Sequence, residues 1–219
     1  MKKSAIVFGA TGLVGSHLIN ILISDNRYDQ IKVFTRRKLT IKNPKIKEYV
    51  IDLFHIKNYS ENVKGDDLFY CIGTTSKKSK SKEEYREIEY QLPLNIAKIA
   101  TKNNIQNFVI ISSIGANAMS KSLYLQNKGE LEDVLLKLSL NSLIILRPSL
   151  LLGKRSEFRI WEELGKYIFY PFSFLMFGKF KKYRPIKASD VAKCMIKMAN
   201  IPNDKKIFEC NEMLEYLKK

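Results

Sequence analysis

Gly9-Ala10-Thr11-Gly12-Leu13-Val14-Gly15 follows the short apolar run Ala5-Ile6-Val7-Phe8 and opens a stretch, Leu13 to Ile23, with apolar residues at helical spacing. That order puts three glycines at a strand-to-helix turn. Glycine permits a tight turn and lets backbone N–H groups approach an anion closely. The partly positive N-terminus of the following helix points at the same place, so the turn suits a dinucleotide pyrophosphate. The spacing is GxxGxxG, not the GxGxxG of the common dinucleotide fingerprint. Glycines that merely end a strand and let a helix pack closely are the structural alternative.

The rest of the chain alternates in the same manner. The patterning predicts strand 5–8, helix 13–24, strands 31–35, 46–51 and 67–71, helix 83–102, strand 107–112, helix 123–139 and strand 142–146. Such alternation builds an α/β fold with a doubly wound parallel sheet. Ser189-Asp190 before Val191 has helix N-cap chemistry, Pro202 closes that helix, and Lys206 to Lys219 adds a short strand and a helix. At 219 residues, without a Pro/Gly/Ser linker or a repeat, residues 1–219 are expected to form one domain, with about 150–185 a small substrate-side extension.

Two further groups carry chemistry. In NAD-selective folds an acidic residue near the end of the second strand accepts hydrogen bonds from the ribose hydroxyls. Here Ile31 to Thr35 runs into Arg36-Arg37-Lys38, and guanidinium groups hold a phosphate by paired, charge-assisted hydrogen bonds. This favours NADP(H), with Arg36 ahead of Arg37; a solvated basic loop is the alternative. Tyr124 and Lys128 are four apart and share one helix face. A tyrosine exchanges protons poorly near neutral pH unless a cation favours its phenolate, and Lys128 supplies that charge. Ser113, at the end of the strand from Asn107, can hold a carbonyl oxygen beside the phenol.

With these residues the chain resembles the short-chain dehydrogenase/reductase superfamily, in its atypical branch with a GATGxxG opening. Thr35 to Thr40, Cys71-Ile72-Gly73-Thr74-Thr75, Ser112 to Ala116, Leu123 to Glu130 and Leu146-Arg147-Pro148-Ser149 resemble the Tat-interacting-protein oxidoreductases. The likeness runs from the first strand to about Arg155, and beyond it only Arg184-Pro185-Ile186 and Asp190-Val191-Ala192 look familiar. It implies a Rossmann-type domain that binds NADPH, with substrates poorly defined across the group. By that resemblance Gly9, Thr11, Gly12, Leu13, Val14 and Gly15 surround the pyrophosphate, and Arg36 and Arg37 the adenosine phosphate. Asp52 and Leu53 lie beside the adenine, and Cys71, Ile72, Gly73 and Thr74 line the ribose. Ser113, Tyr124 and Lys128 match the catalytic set, with Tyr124 and Lys128 also at the cofactor, and Pro148 and Ser149 the segment near the nicotinamide. Related enzymes often have glycine where this chain has Ser149, a departure that bears on the nicotinamide pocket.

The formal net charge is +16, from 38 Lys and Arg against 22 Asp and Glu. The lysines are spread along the chain and no nucleic-acid-binding motif is present, so attraction of an anionic cofactor and substrate is the milder reading. Cys71, Cys194 and Cys210 show neither CxxC nor metal-ligand spacing, and His17 and His55 form no cluster, so no metal is expected. Free cysteines and an N-terminus that leads straight into the first strand predict a cytoplasmic protein. Tyr167 to Phe180 is aromatic and, with Pro171, too short to span a membrane. It is expected to cover the nicotinamide site as a lid and favour a small apolar substrate, against core packing or a membrane-surface patch. The combined reading is an NADP(H)-binding oxidoreductase acting on a carbonyl or alcohol. A regulatory protein that senses NADPH and a nucleotide-sugar epimerase or dehydratase are the alternatives.

Overall fold

A computed structural model describes residues 2–74, 79–153, 178–202 and 204–218. Seven parallel strands form the central sheet: β1 (Lys3–Phe8), β2 (Tyr28–Thr35), β3 (Ile46–Val50), β4 (Asp67–Tyr70), β5 (Asn107–Ile111), β6 (Leu143–Arg147) and β9 (Ile207–Glu209). Their order is β3-β2-β1-β4-β5-β6-β9. The chain therefore winds outward from β1 to β3, then returns to β4 on the other side of β1. The crevice beyond the C-terminal ends of β1 and β4 is the topological switch point, where open α/β sheets bind ligands.

Buried strands in such a sheet are apolar on both faces, and β1 shows why the pattern is continuous. Ala5 and Val7 face one core, with Leu18, Ile19 and Leu22 of α1 (Leu13–Ser24) and Val191, Met195 and Met198 of α5 (Ala188–Met198). Ile6 and Phe8 face the other, with Ile96, Ala97 and Ala100 of α3 (Leu92–Lys102) and Leu131 and Leu135 of α4 (Leu123–Leu135). The alternation is the two-residue period of a strand. Stacked rings extend the second core across the sheet, with centroids 4.9 Å apart for Phe8 and Phe34 and 4.7 Å for Phe34 and Tyr49.

The doubly wound sheet matches the sequence expectation; several boundaries do not. The helix expected over 83–102 is α2 (Lys82–Arg86), a wider π turn over Glu87–Gln91, and then α3. Pro93 supplies the reason: it has no N–H to give the carbonyl of residue 89, and its ring crowds that carbonyl, so the preceding turn opens. Helix α4 ends at Leu135, not 139, because Lys137 and Leu138 turn tightly onto the carbonyls of Val134 and Leu135 as the chain heads for β6. Lys187, not Ser189 or Asp190, is the N-cap of α5, and Asp190 lies inside its first turn, where an acid suits the helix dipole. The closing strand and helix are found as β9 and α6 (Cys210–Lys218). Two short strands, β7 (Leu151–Leu152) and β8 (Ile186–Lys187), pair in parallel and were not foreseen. The expected lid over Tyr167 to Phe180 lies outside the described residues except for its last three, and the lysine-rich run from Ser76 does so in part.

Candidate functional site

The glycine turn is built by contact as well as by conformation. Gly9 has φ +88°, and a Cβ there would lie 2.7 Å from the Cys71 carbonyl carbon and the Ile72 nitrogen, so the ends of β1 and β4 meet over it. A Cβ on Gly15 would lie 2.1 Å from the Gly9 carbonyl oxygen, which fixes how closely α1 abuts the turn. Gly12 is the N-cap of α1 and its N–H donates to the Gly9 carbonyl at 2.9 Å. No side chain caps this helix and its first turn holds no acid, so the cradle suits an anion. Thr11 is exposed at the tip of the turn, and Val14 is buried beneath it. Leu13 is partly covered by the segment after β7: a Cβ on Gly153 would lie 2.6 Å from its Cδ1.

Past β2, Arg36 and Arg37 are exposed. Thr35 shapes the loop: its hydroxyl donates to the Arg37 carbonyl at 2.9 Å and accepts from the Arg37 N–H at 3.3 Å. Asp52 accepts from the Phe54 N–H at 3.0 Å and lies 2.8 Å from His55 Nδ1. Those bonds, and further off the Arg36 charge, hold its carboxyl below the ordinary carboxylate range. Leu53 is buried in the core with Phe34 and Tyr59, and its carbonyl accepts from the Tyr59 hydroxyl at 2.6 Å. Of the pair expected beside an adenine, Asp52 therefore stands at the rim and Leu53 anchors the wall.

The turn after β4 is tied on both sides. Cys71 donates its N–H to the Phe8 carbonyl at 2.8 Å, and its sulfur lies 3.8 Å from Met195 Sδ. Burial pushes its thiol far above the ordinary range, which fits a small apolar residue better than a reactive one. Ile72 packs against the second core. Gly73 lies against the Glu89 carboxylate, 3.5 Å from where its Cβ would be, and the Thr74 N–H donates to the same carboxylate.

Helix α4 carries Tyr124 and Lys128, the two residues expected to handle the proton. A Cβ on Gly129 would lie 2.2 Å from the Ala118 nitrogen, so only glycine lets this helix approach the loop after β5. The approach carries Lys128 beneath the end of β5. Its ammonium is 3.5 Å from the Ile111 carbonyl, 2.8 Å from Glu89 Oε2 and 6.0 Å from the centre of the Tyr124 ring. The Lys128 and Glu89 side chains are 6% and 1% exposed, so this is an interior ion pair. Burial works against the charge on Lys128, but the Glu89 carboxylate, Tyr124 and Glu132 together outweigh it and hold the pKa above the ordinary lysine value.

Ser113 is buried, and its hydroxyl donates to its neighbour's carbonyl, Ile114, at 3.3 Å. Behind it Glu132 accepts from the Ser112 hydroxyl and from Arg147 Nε at 3.0 and 3.1 Å, clipping the ends of β5 and β6 together. The Ile114 N–H donates to the Pro148 carbonyl at 3.0 Å, so the expected nicotinamide segment abuts the Ser113 loop. The Ser149 hydroxyl donates to the Arg184 carbonyl and so faces the C-terminal crossover.

Glu89 is the site residue that sequence reading missed. One signal was present: Pro93 stands four residues later, and a proline in a helical run opens the turn before it. Among the described residues no cluster of potential ligands could hold a metal ion.

The family model described as HIM1 matches residues 28–172. The protein FMP52, mitochondrial, of Candida albicans is 36% identical over 203 residues, covering 90% of this chain and 87% of that protein. Protein HTATIP2 of Rattus norvegicus is 31% identical over 172 residues, covering 77% and 71%, which bears out the resemblance to the Tat-interacting proteins. In structure the chain is similar to MoeE5 in complex with UDP-glucose and NAD, with a TM-score of 0.70, 17% identity and coverage of 97% and 80%. It is also similar to a UDP-N-acetylglucosamine 4-epimerase from Methanobrevibacter ruminantium M1, with a TM-score of 0.68, 19% identity and coverage of 98% and 81%. At these identities the likeness establishes the Rossmann-type fold and nothing finer. The cytoplasmic expectation is corrected: the FMP52 relatives of Candida albicans, Debaryomyces hansenii and Scheffersomyces stipitis all carry "mitochondrial" in their names. A free-cysteine argument reports only a reducing surrounding and cannot tell one compartment from another. With a family match over most of its length and relatives above 30% identity along most of theirs, the chain belongs to the HIM1 family.

Proposed function

We propose that the protein is an NADP(H)-dependent oxidoreductase of the atypical short-chain type, reducing a carbonyl or oxidising an alcohol of a small apolar substrate in mitochondria. The observation that carries the reading is the interior Lys128 ammonium. It stands beside Tyr124 at the C-terminal end of β5, on the same edge of the sheet as the glycine cradle. The compartment rests on the names of the FMP52 relatives.

The residues present fit the cofactor. The Gly9 to Gly15 turn, held by backbone contacts that side chains at Gly9 and Gly15 would block, suits the diphosphate, and the exposed Arg36, backed by Arg37, suits a 2′-phosphate. Asp52 and Leu53 would flank the adenine, the 71–74 turn and Lys128 the ribose, and Pro148-Ser149 the nicotinamide. Because the Ser149 hydroxyl is engaged with Arg184, that last segment would offer backbone and packing. When bound, NADP(H) supplies the hydride.

The chain's own groups handle the proton. Ser113 would orient the substrate oxygen, and Tyr124 would give or take its proton. The Lys128 charge stabilises the negative charge that develops on the phenol oxygen, and burial strengthens that interaction.

The reading is tested by screening aldehydes and ketones with NADPH, comparing wild type with Tyr124→Phe. The variant keeps the ring and loses the proton carrier, so turnover should fall by about 10²–10⁴-fold while NADPH affinity stays level. Turnover that survives Tyr124→Phe would overturn the assignment.

A further inference from the structure

Lys128 is not the only buried charge at this edge of the sheet. Glu89 is 1% exposed, sits in the middle of the π turn, and uses both carboxylate oxygens: Oε1 accepts from the Thr74 N–H and Oε2 pairs with Lys128 at 2.8 Å. A regular helix would have carried this side chain elsewhere; the turn opened by Pro93 brings it between β4 and α4. Burying a carboxylate costs several kcal/mol unless partners compensate, so its presence needs a reason.

We propose that Glu89 is a positioning residue that locks the Lys128 ammonium to the Gly73-Thr74 turn, so that the ribose wall and the proton-transfer pair form one rigid unit. The inference rests on the oxidoreductase reading above and adds to it a residue outside the serine, tyrosine and lysine set. An ammonium has three donors. The Lys128 nitrogen lies 3.5 Å from the Ile111 carbonyl oxygen and 2.8 Å from Glu89 Oε2, and these contacts set its place 6.0 Å from the centre of the Tyr124 ring, where ligand chemistry is proposed. Without Glu89 the ammonium would lose its carboxylate contact and keep the Ile111 carbonyl at 3.5 Å and the Tyr124 ring, and could turn away.

The groups facing the pair support the same role. Around Lys128 stand Glu89 from the π turn and Tyr124 and Glu132 from α4; around Glu89 stand Lys128 and, from β4, Tyr70. Burial alone would push Lys128 toward its neutral form, and among the opposing influences the Glu89 charge comes first. Tyr70, held protonated by burial and then by the Glu89 charge, adds no anion at neutral pH. Glu89 therefore both aims Lys128 and keeps it charged.

The experiment is an NMR titration of lysine labelled at Cε, with Lys128 assigned from a Lys128→Met spectrum, in wild type, Glu89→Gln and Glu89→Asp. Wild-type Lys128 should stay charged beyond the ordinary lysine pKa of about 10.4. In folded Glu89→Gln its midpoint should drop by more than about one pH unit, with Glu89→Asp recovering part of the loss. If Glu89→Gln does not fold, a midpoint in Glu89→Asp below that of wild type carries the same conclusion. An unchanged Lys128 midpoint in a folded variant would overturn the proposal, because a purely structural role moves stability and not this titration. NADPH affinity is measured alongside and should fall about tenfold or more in Glu89→Gln, more steeply at pH 9 than at pH 7. Failure of the wild type to bind NADPH would strike the oxidoreductase reading, while the Lys128 titration would still decide the role of Glu89.

Discussion

Asp67 and Glu89 are both buried carboxylates with a lysine partner, and they stand at opposite ends of β4. Asp67 opens the strand; its side chain accepts from Lys3 Nζ at 3.2 Å, the Tyr28 hydroxyl at 2.6 Å and Asn107 Nδ2 at 2.7 Å. Asn200 donates to that hydroxyl at 2.8 Å, and Asn107 also reaches the Ala199 carbonyl at 3.1 Å. The network binds β1, β2, β4, β5 and the end of α5 at the N-terminal edge of the sheet, and every partner belongs to the fold. Glu89 meets the chain beyond the C-terminal end of β4, and its lysine stands 6.0 Å from the centre of the Tyr124 ring. The two carboxylates are alike in burial and charge, although Lys3 is 32% exposed and Lys128 only 6%. On the proposed reading the end of the sheet decides which serves architecture and which serves chemistry, because open α/β sheets bind ligands beyond the C-terminal ends of their strands.

The contrast breaks most visibly at Asp67. Asp67→Ala strands the buried Tyr28 phenol and deprives the part-exposed Lys3 ammonium and Asn107 amide of their shared acceptor, so unfolding in urea should show a loss of about 1–3 kcal/mol. The folded fraction should still bind NADPH as wild type does. A loss of cofactor affinity without a loss of stability would mean that the two ends of β4 are not separate in function.

Alkaline pH should act next. Burial comes first, then the Asp67 charge for Tyr28, the Asp52 charge for Tyr59 and the Glu89 charge for Tyr70, in holding the three phenols well above the ordinary tyrosine value of 10.0. The folded chain then keeps protons that the unfolded chain releases above about pH 10, so stability is intact below that pH and declines above it. The slope should be about 1.4 kcal/mol per pH unit for each tyrosine. Tyr28→Phe should flatten it by one tyrosine's share, although it leaves Asp67 short of a partner. A wild-type stability that is level from pH 9 to 11 would contradict the burial of these hydroxyls.

The same contrast explains what could be read from the sequence. Period and spacing reveal strands, helices and the order of the glycine turn, Ser113, Tyr124 and Lys128, because these depend on near neighbours. No local pattern marks Glu89 or Asp67, since what buries them is contact with distant residues: Lys128 is 39 positions from the first, and Lys3 64 from the second. Boundaries failed where a local rule met a packing demand, as at Pro93, or where the chain had to turn back early, as after Leu135. Ser149 was legible as a departure from glycine; that its hydroxyl would reach Arg184 was not. The compartment was misread because composition records redox conditions and not an address.

The central claim is that the C-terminal edge of the sheet binds NADP(H), and calorimetric titration of NADPH and NADH at fixed salt tests it most directly. Wild type should bind NADPH the more tightly. Arg36→Ala should erase much of the difference, at a cost on the order of 1.5–3 kcal/mol for one lost charge-assisted contact, and leave NADH affinity nearly unchanged. Equal affinities in wild type would contradict the phosphate role of Arg36, and binding of neither cofactor would contradict the account as a whole.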